Sequence, residues 1–226
     1  MNRLFFLISF SLIFFTRVQT ISAQSPPFRL KSARQLIEKS TQDSIAMIER
    51  LSAYYFHGIM NDYRVSKGKK RVLWSDELWL VCLNHNHWMV QQDKLSHTEN
   101  NTAESSGRDP GDRIEFVNPN TILSWCGENC LYNYDSQGET VEEIAYTIAS
   151  ESFQQWKESP GHNENMLASG ARIQGVAFQI NGEQVWATEL LCTNEFNAVD
   201  FSFQKPISHL FKCRDYQTMK ALKKNK

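Results

Sequence analysis

What the chain lacks narrows it before any motif is read. It carries no surplus of one charge: 24 Lys and Arg stand against 25 Asp and Glu over 226 residues. That balance gives no electrostatic reason to expect a nucleic-acid partner. Only one long apolar run is present, LFFLISFSLIFF at residues 4–15, and it falls short of the roughly 20 residues that cross a bilayer. No cysteine directly follows this run to carry a lipid anchor, and no internal repeat recurs. There is no His-Glu-x-x-His and no other strong metal signature. No nucleophile–His–Asp arrangement stands out, and Ser159 beside Pro160 is a poor nucleophile.

What is there begins with the N-terminus. Asn2-Arg3 precede the apolar run, and the small residues Ser22 and Ala23 precede Gln24. This is the pattern of a secretory signal peptide, expected over residues 1–23 and cut after Ala23. Loss of Arg3 and Arg17 leaves 22 basic and 25 acidic residues, a net charge of −3. The expected location is outside the cytoplasm, either periplasmic or extracellular, with no transmembrane segment left after the signal is removed. Such a compartment permits disulfides. The five cysteines are Cys82, Cys126, Cys130, Cys192 and Cys213, and the odd count leaves one thiol free or bonded to another chain. Cys82 falls on a core-facing helical position and reads as a buried thiol. The others stay open: Cys126 or Cys130 with Cys192 or Cys213, or Cys126 with Cys130 across Gly-Glu-Asn if the turn there is tight.

The apolar spacing lays out the elements. Residues 24–43 form an N-terminal lead containing Pro26-Pro27. Ile37, Ile45, Ile48, Leu51, Tyr55, Ile59 and Tyr63 predict helix over 34–66, its main part capped by Asp43 or Ser44 and stopping near Gly68. Ser75 caps a second helix whose inner face holds Leu78, Val81, Cys82, His85, Trp88 and Met89. Residues 93–138 show no long period, and an irregular stretch of that length is usually functional or internally braced. Helical spacing resumes over 139–156. Residues 172–180 and 183–192 read as strands joined by Asn181-Gly182, the signal of a type I′ hairpin. Helices, loop, helix and hairpin in that order predict an α+β fold, with helices covering a mainly antiparallel sheet.

Three blocks carry polar residues where the periodicity does not ask for them: Leu95-Ser96-His97-Thr98-Glu99, Cys126-Gly127-Glu128-Asn129, and Ser159-Pro160-Gly161-His162. Pro160 fixes φ and Gly161 permits unusual backbone, so His162 stands at the start of a new short helix behind a rigid turn. Two histidines and a glutamate converging in one cleft could hold Zn²⁺ with an open position for water, or form a hydrogen-bonded acid–base cluster.

These blocks resemble a known family. Asn61-Asp62-Tyr63-Arg64, Lys67-Gly68 and Leu73-Trp74-Ser75-Asp76-Glu77-Leu78 are similar to the opening of bacterial CAP (SCP) domains. That superfamily groups cysteine-rich secretory proteins, antigen 5 and pathogenesis-related 1 proteins. Ser96-His97-Thr98, then Gly107-Arg108-Asp109-Pro110 with Asp112-Arg113, then Gly127-Glu128-Asn129 follow in the family's order. Trp156 to Ser159-Pro160-Gly161-His162, Asn165-Met166-Leu167 and Gly175-Val176-Ala177 complete it. The resemblance spans residues 45–192 and implies an α-β-α sandwich and a CAP domain at 44–193; the basic tail at 194–226 matches nothing in the family pattern. It implies that His97, Glu128 and His162 line a polar cavity, where some members bind a divalent metal such as zinc between the histidines. Family members with a full tetrad carry a Glu where this chain has Ser159. Glu158 stands one residue earlier, and Glu189 on the last strand is a further cavity candidate.

Each of these residues also has a plainer reading. His85 and His87 lie two apart on a helix and do not share a face, so His85 reads as a satisfied core histidine. His57 and His209 have no companions. Glu128 could order its turn by binding backbone amides, and Trp74, Trp79, Trp88, Trp125 and Trp156 read as core. Residues 205–226 hold seven Lys or Arg against Asp215, a tail that is either solvated or an amphipathic contact to an anionic surface. Three functions follow. The first is an extracellular binding module for a lipid, peptide or glycan. The second is a metal-dependent or acid–base hydrolase with Glu128 as base, and the third a non-catalytic scaffold.

Overall fold

The computed structural model of the chain describes residues 44–121, 124–134, 138, 140–195, 198–199 and 201. The signal-peptide and N-terminal-lead readings and the basic run 205–226, with Ile37, His209 and Cys213, lie outside them; the first residues of the tail expected at 194–226 lie within them.

Helix α1 spans Ser44–Ser66. Its buried stripe is Ile48, Leu51, Tyr55, Phe56 and Met60, while Ile45 stays exposed. Gly68, at φ +70°, ends it by donating to Val65 O, as a left-handed residue after a helix does. Strand β1 (Leu73–Ser75) leads directly into α2 (Asp76–Gln92), where the Ser75 side chain accepts from Leu78 N. All six residues predicted for the inner face of α2 are buried, Cys82 among them.

The stretch 93–138 is more regular than its composition predicts. Asp109 caps a helix α3 (Pro110–Val117) with Pro110 in its first turn, and Cys126–Tyr134 form strand β2. The strand was missed because its burial alternates only in part: Gly127 to Leu131 are all buried, so no period of two shows in the sequence. Cys126 and Cys130 therefore sit four residues apart on one strand, about 13 Å at the usual rise. A disulfide between them is excluded, since bridged Cα atoms lie within about 7 Å.

Thr140 and Glu143 form a capping box that starts α4 (Val141–Glu158). Helix α5 (Pro160–Met166) follows. Gly161 lies inside α5 with ordinary backbone and open space where a Cβ would be, so the rigidity of this turn comes from Pro160. Strands β3 (Ile173–Asn181) and β4 (Gln184–Cys192) form the predicted hairpin, with the turn one residue later than expected. Gly182, at φ +63°, takes the first central position and Glu183 has negative φ. That is the type II′ pattern rather than I′. Strand β5 (Ala198–Val199) completes the sheet.

The strand order is β2-β4-β3-β1-β5. Only β1–β3 is parallel, so the sheet is mainly antiparallel. Helices α1 and α4 cover one face and α2, backed by α3, covers the other: the predicted α-β-α sandwich. The larger core lies under α1 and α4, where Phe56 meets Trp156 edge-to-face at 5.1 Å. On the other face a Cβ on Gly175 would stand 2.3 Å from Trp79 N, so the absence of a side chain is what lets α2 lie against β3.

Candidate functional site

Strand β2 is an edge of the sheet, and its pleat sends successive side chains to opposite faces. Glu128 points to the α2/α3 side, and Asn129, opposite Glu189 on β4, to the α1/α4 side. The loop after α2 and helix α5 approach this strand from its two sides.

On the α2/α3 side a buried charge network forms. His97 Nδ1 donates to Glu128 Oε1 at 2.9 Å, and Arg113 donates to Glu128 Oε2. The Glu128 side chain is 4% exposed and that of His97 56%. Arg113, from the buried face of α3, also donates to the carbonyls of His97 and Arg108, and its Nε lies 3.8 Å from Glu99. Glu99 is buried as well, accepting from Ser106 N at 2.7 Å and from Gly107 N. His85 completes the set, with Nδ1 2.8 Å from Glu99 and Nε2 2.8 Å from Ser96 O. A carbonyl only accepts, so Nε2 carries a hydrogen and donates it to Ser96 O. The two buried carboxylates are thus paired with the Arg113 guanidinium and hydrogen-bonded, the condition under which buried charge is tolerated. The loop 93–109 is thus braced from within by Glu99. Burial alone would push the Glu128 carboxyl up, but the His97 hydrogen bond and the Arg113 charge outweigh it and hold it below its ordinary value.

On the α1/α4 side the same strand positions α5. Asn129 Nδ2 donates to His162 O at 3.2 Å and to Glu189 Oε2 at 2.8 Å, while Asn165 Nδ2 donates to Asn129 Oδ1 and Glu128 O. A Cβ on Gly127 would stand 2.8 Å from Asn165 Oδ1, so glycine is what allows this approach. The fully buried Arg64 caps the far end of α5 through Met166 O and Ala168 O, and Tyr63 OH donates to Asn163. Asn61 clamps Val72 through both its amide atoms and donates to His57 Nε2. His57 donates to Gln174, which donates to Glu189 at 2.6 Å. Burial pushes the Glu189 carboxyl up to about 7 and the His57 ring down to about 4.

His162 is half-buried. Its Nδ1 is shielded from solvent and makes no hydrogen bond. Burial, then the charge of nearby His97, lowers its pKa, which leaves the ring neutral near pH 7. The structure thus brings His97 into contact with Glu128 and His162 within electrostatic reach of His97. Glu158 is exposed, bonded to Gln154 at the end of α4, and joins none of them. Glu189 lies on the opposite face from Glu128 and reaches His162 only through Asn129. Glu128 orders no turn: it sits on a strand and binds side chains, while the buried Glu99 accepts from the backbone amides of Ser106 and Gly107. Trp125 is 36% exposed rather than core. Arg113, Glu99 and Asn129 were not foreseen as site-forming. For Arg113 a signal exists, because Asp109-Pro110 starts a helix whose buried positions are Arg113, Ile114 and Val117.

Two features fit a divalent cation. One is the unpartnered Nδ1 of His162. The other is His97, whose Nδ1–H is fixed by a carboxylate so that Nε2 keeps the lone pair. A second group, His85, Glu128 and Cys130, brings buried ligand atoms within 4.8 Å of one another. Both His85 nitrogens there are already engaged, so that trio is satisfied without an ion.

A family model, CAP: cysteine-rich secretory protein family, matches residues 57–190. Among solved structures, the chain is similar to an extracellular SCP-domain protein of Bacillus anthracis, at 18% identity and a TM-score of 0.52. The match covers 68% of this chain and 44% of that one, so the chain spans less than half of that relative. It is similar to an outer surface protein of Borrelia burgdorferi at 13% identity and a TM-score of 0.50, covering 63% and 92%. A cysteine-rich secretory protein of Staphylococcus aureus matches at 12% identity and a TM-score of 0.44, covering 65% and 39%. At these identities the likeness is one of fold. No curated protein matches the chain. Among the described residues no helix is long and apolar enough to cross a membrane.

Proposed function

Because this chain belongs to the CAP family of cysteine-rich secretory proteins, we propose that it is an extracellular binding module. His97, Glu128 and His162 form its polar site, and the ligand class is lipid, peptide or glycan. His97 and His162 would also hold a divalent cation such as zinc through their ring nitrogens. When bound, that ion supplies a Lewis acid and a cross-link between the loop 93–109 and α5.

The observation that carries the binding reading is the state of Glu128. Both its carboxylate oxygens are taken, one by His97 and one by Arg113, and its pKa is held low. A general base that works near neutral pH needs a pKa close to that pH, and Glu128 is held below even its ordinary value. Glu189 has the raised pKa but is fully buried on the other face. No second carboxylate replaces it, since Glu158 is turned to solvent. The hydrolase reading therefore loses Glu128 as its base, whereas the neutral, unpartnered His162 is suited to accept a ligand contact.

The test is ligand retention and titration. Native mass spectrometry of protein purified from its host, with saturation assays on sterols, fatty acids, glycans and peptides, should show one saturable class. Its absence across all four would overturn the binding reading. Calorimetric Zn²⁺ titration should show one site that His97→Ala or His162→Ala abolishes and His87→Ala leaves intact. No binding by the unaltered protein would remove the cation from the proposal. Peptide hydrolysis lost on Glu128→Gln would favour the hydrolase instead.

A further inference from the structure

Four cysteines fall among the described residues, and all are free thiols in the structure. Their strand register separates them sharply. Cys126, at the start of β2, lies directly opposite Cys192, at the end of β4. The pair type follows from one backbone bond: Thr193 N donates to Trp125 O. In an antiparallel ladder this makes Trp125 and Thr193 the hydrogen-bonded pair, so Cys126 and Cys192 form the neighbouring pair without hydrogen bonds. Such pairs hold their Cα atoms about 4.5 Å apart and their side chains closest, inside the 4.4–6.8 Å window of bridged cysteines. Both residues also point to the α2/α3 face, where they pack in one cluster, and the two thiols are within hydrogen-bonding reach of each other.

Among the described residues, the other two cysteines have no cysteine opposite them. Cys130 faces Thr188, with its sulfur 3.8 Å from Oγ1. Cys82, on α2, donates to Gly175 O at 3.4 Å.

We propose that Cys126 and Cys192 form a cross-strand disulfide once the chain meets an oxidising compartment. The oxidant is a small-molecule or protein disulfide. Cys126 is the more accessible of the two, so its thiolate attacks one sulfur of, for example, glutathione disulfide and releases one glutathione thiolate. The Cys192 thiolate then attacks the Cys126 sulfur of the mixed disulfide and releases the second. Two protein thiols lose two electrons and two protons, and one glutathione disulfide becomes two glutathiones. The new bond fastens the edge strand β2 to β4 two residues before Glu128, at the end of the strand that carries the site.

The experiment is peptide mapping of the full chain refolded in a glutathione redox buffer, alkylated without reduction and cleaved after glutamate. Cleavage at Glu128 separates Cys126 from Cys130 and makes the assignment unique. The expected result is one linked peptide pair joining Cys126 to Cys192, with Cys82 and Cys130 alkylated. Reductant should lower the thermal midpoint by about 5–10 °C, and the double variant Cys126→Ser, Cys192→Ser should lose that shift. Alkylation of both Cys126 and Cys192 in the oxidised protein would overturn the proposal. So would a bond from either to Cys82, Cys130 or Cys213. Mapping the unaltered chain decides the matter even if the double variant fails to fold.

Discussion

Arg113 is the centre of the buried network, and Arg113→Met tests whether the network is read correctly. The substitution keeps most of the side-chain volume and removes only the guanidinium. That leaves Glu99 and Glu128, whose side chains are 0% and 4% exposed, without the buried guanidinium between them. Stranding a buried carboxylate in this way costs about 3–5 kcal/mol. The carbonyls of His97 and Arg108 also lose a donor. Urea unfolding followed by tryptophan fluorescence gives the difference directly, with Trp88 packed against His85 at 5.9 Å between ring centroids as a local reporter. The pH dependence has a definite sign. Glu128 has a folded pKa below its ordinary value, so its contribution is present above the unfolded value of about 4.3 and is lost as pH falls through the folded one. The gap between the unaltered protein and Arg113→Met should therefore be widest above about pH 5 and should narrow as pH falls below the unfolded value of about 4.3. Glu128→Gln should show a coupling with Arg113→Met of about 1.5–3 kcal/mol in a double-mutant cycle. A loss under about 1 kcal/mol with an unchanged m-value, or no coupling, would refute the network.

Gly175→Ala should destabilise by about 3 kcal/mol or more, because its Cβ meets helix backbone rather than a movable side chain; a midpoint within 1 °C of the unaltered protein would show that α2 does not lie where it is drawn. Glu189 has a folded pKa raised to about 7, so its contribution is full below the unfolded value and is lost as pH rises toward 7. Its share of the fall is roughly 3 kcal/mol. Glu189→Gln should flatten the stability profile between about pH 5 and 7, and an unchanged slope in urea midpoints across that range would contradict the assignment. Thr140→Ala should cost about 1 kcal/mol by opening the capping box, seen in thermal unfolding; no measurable loss would mean the cap is not formed in solution.

The sequence determined the three long helices α1, α2 and α4 by their spacing, the hairpin by Asn-Gly, and the α+β class by their order, because amphipathic period and turn chemistry are local properties; it did not show α3. The ordered blocks also marked His97, Glu128 and His162. It did not show β2, since an edge strand whose middle is buried on both faces has no period to read. It misplaced the hairpin turn by one residue, because Gly182 can serve either central position and the cross-strand register chooses. It left open whether Glu128 lines a cavity or orders a turn, and did not show that the buried Glu99 binds the loop amides. Nor could it tell that the Asn61 and Arg64 of the opening motif hold distant pieces together, with Arg64 capping a helix 102 residues away. The pairing of Cys126 with Cys192 and the facing of Glu128 and Glu189 to opposite sides depend on which residues stand opposite each other across β2 and β4. Local pattern supplied the chemistry of each block. Register and sheet order, set by packing over the whole domain, decided which blocks meet.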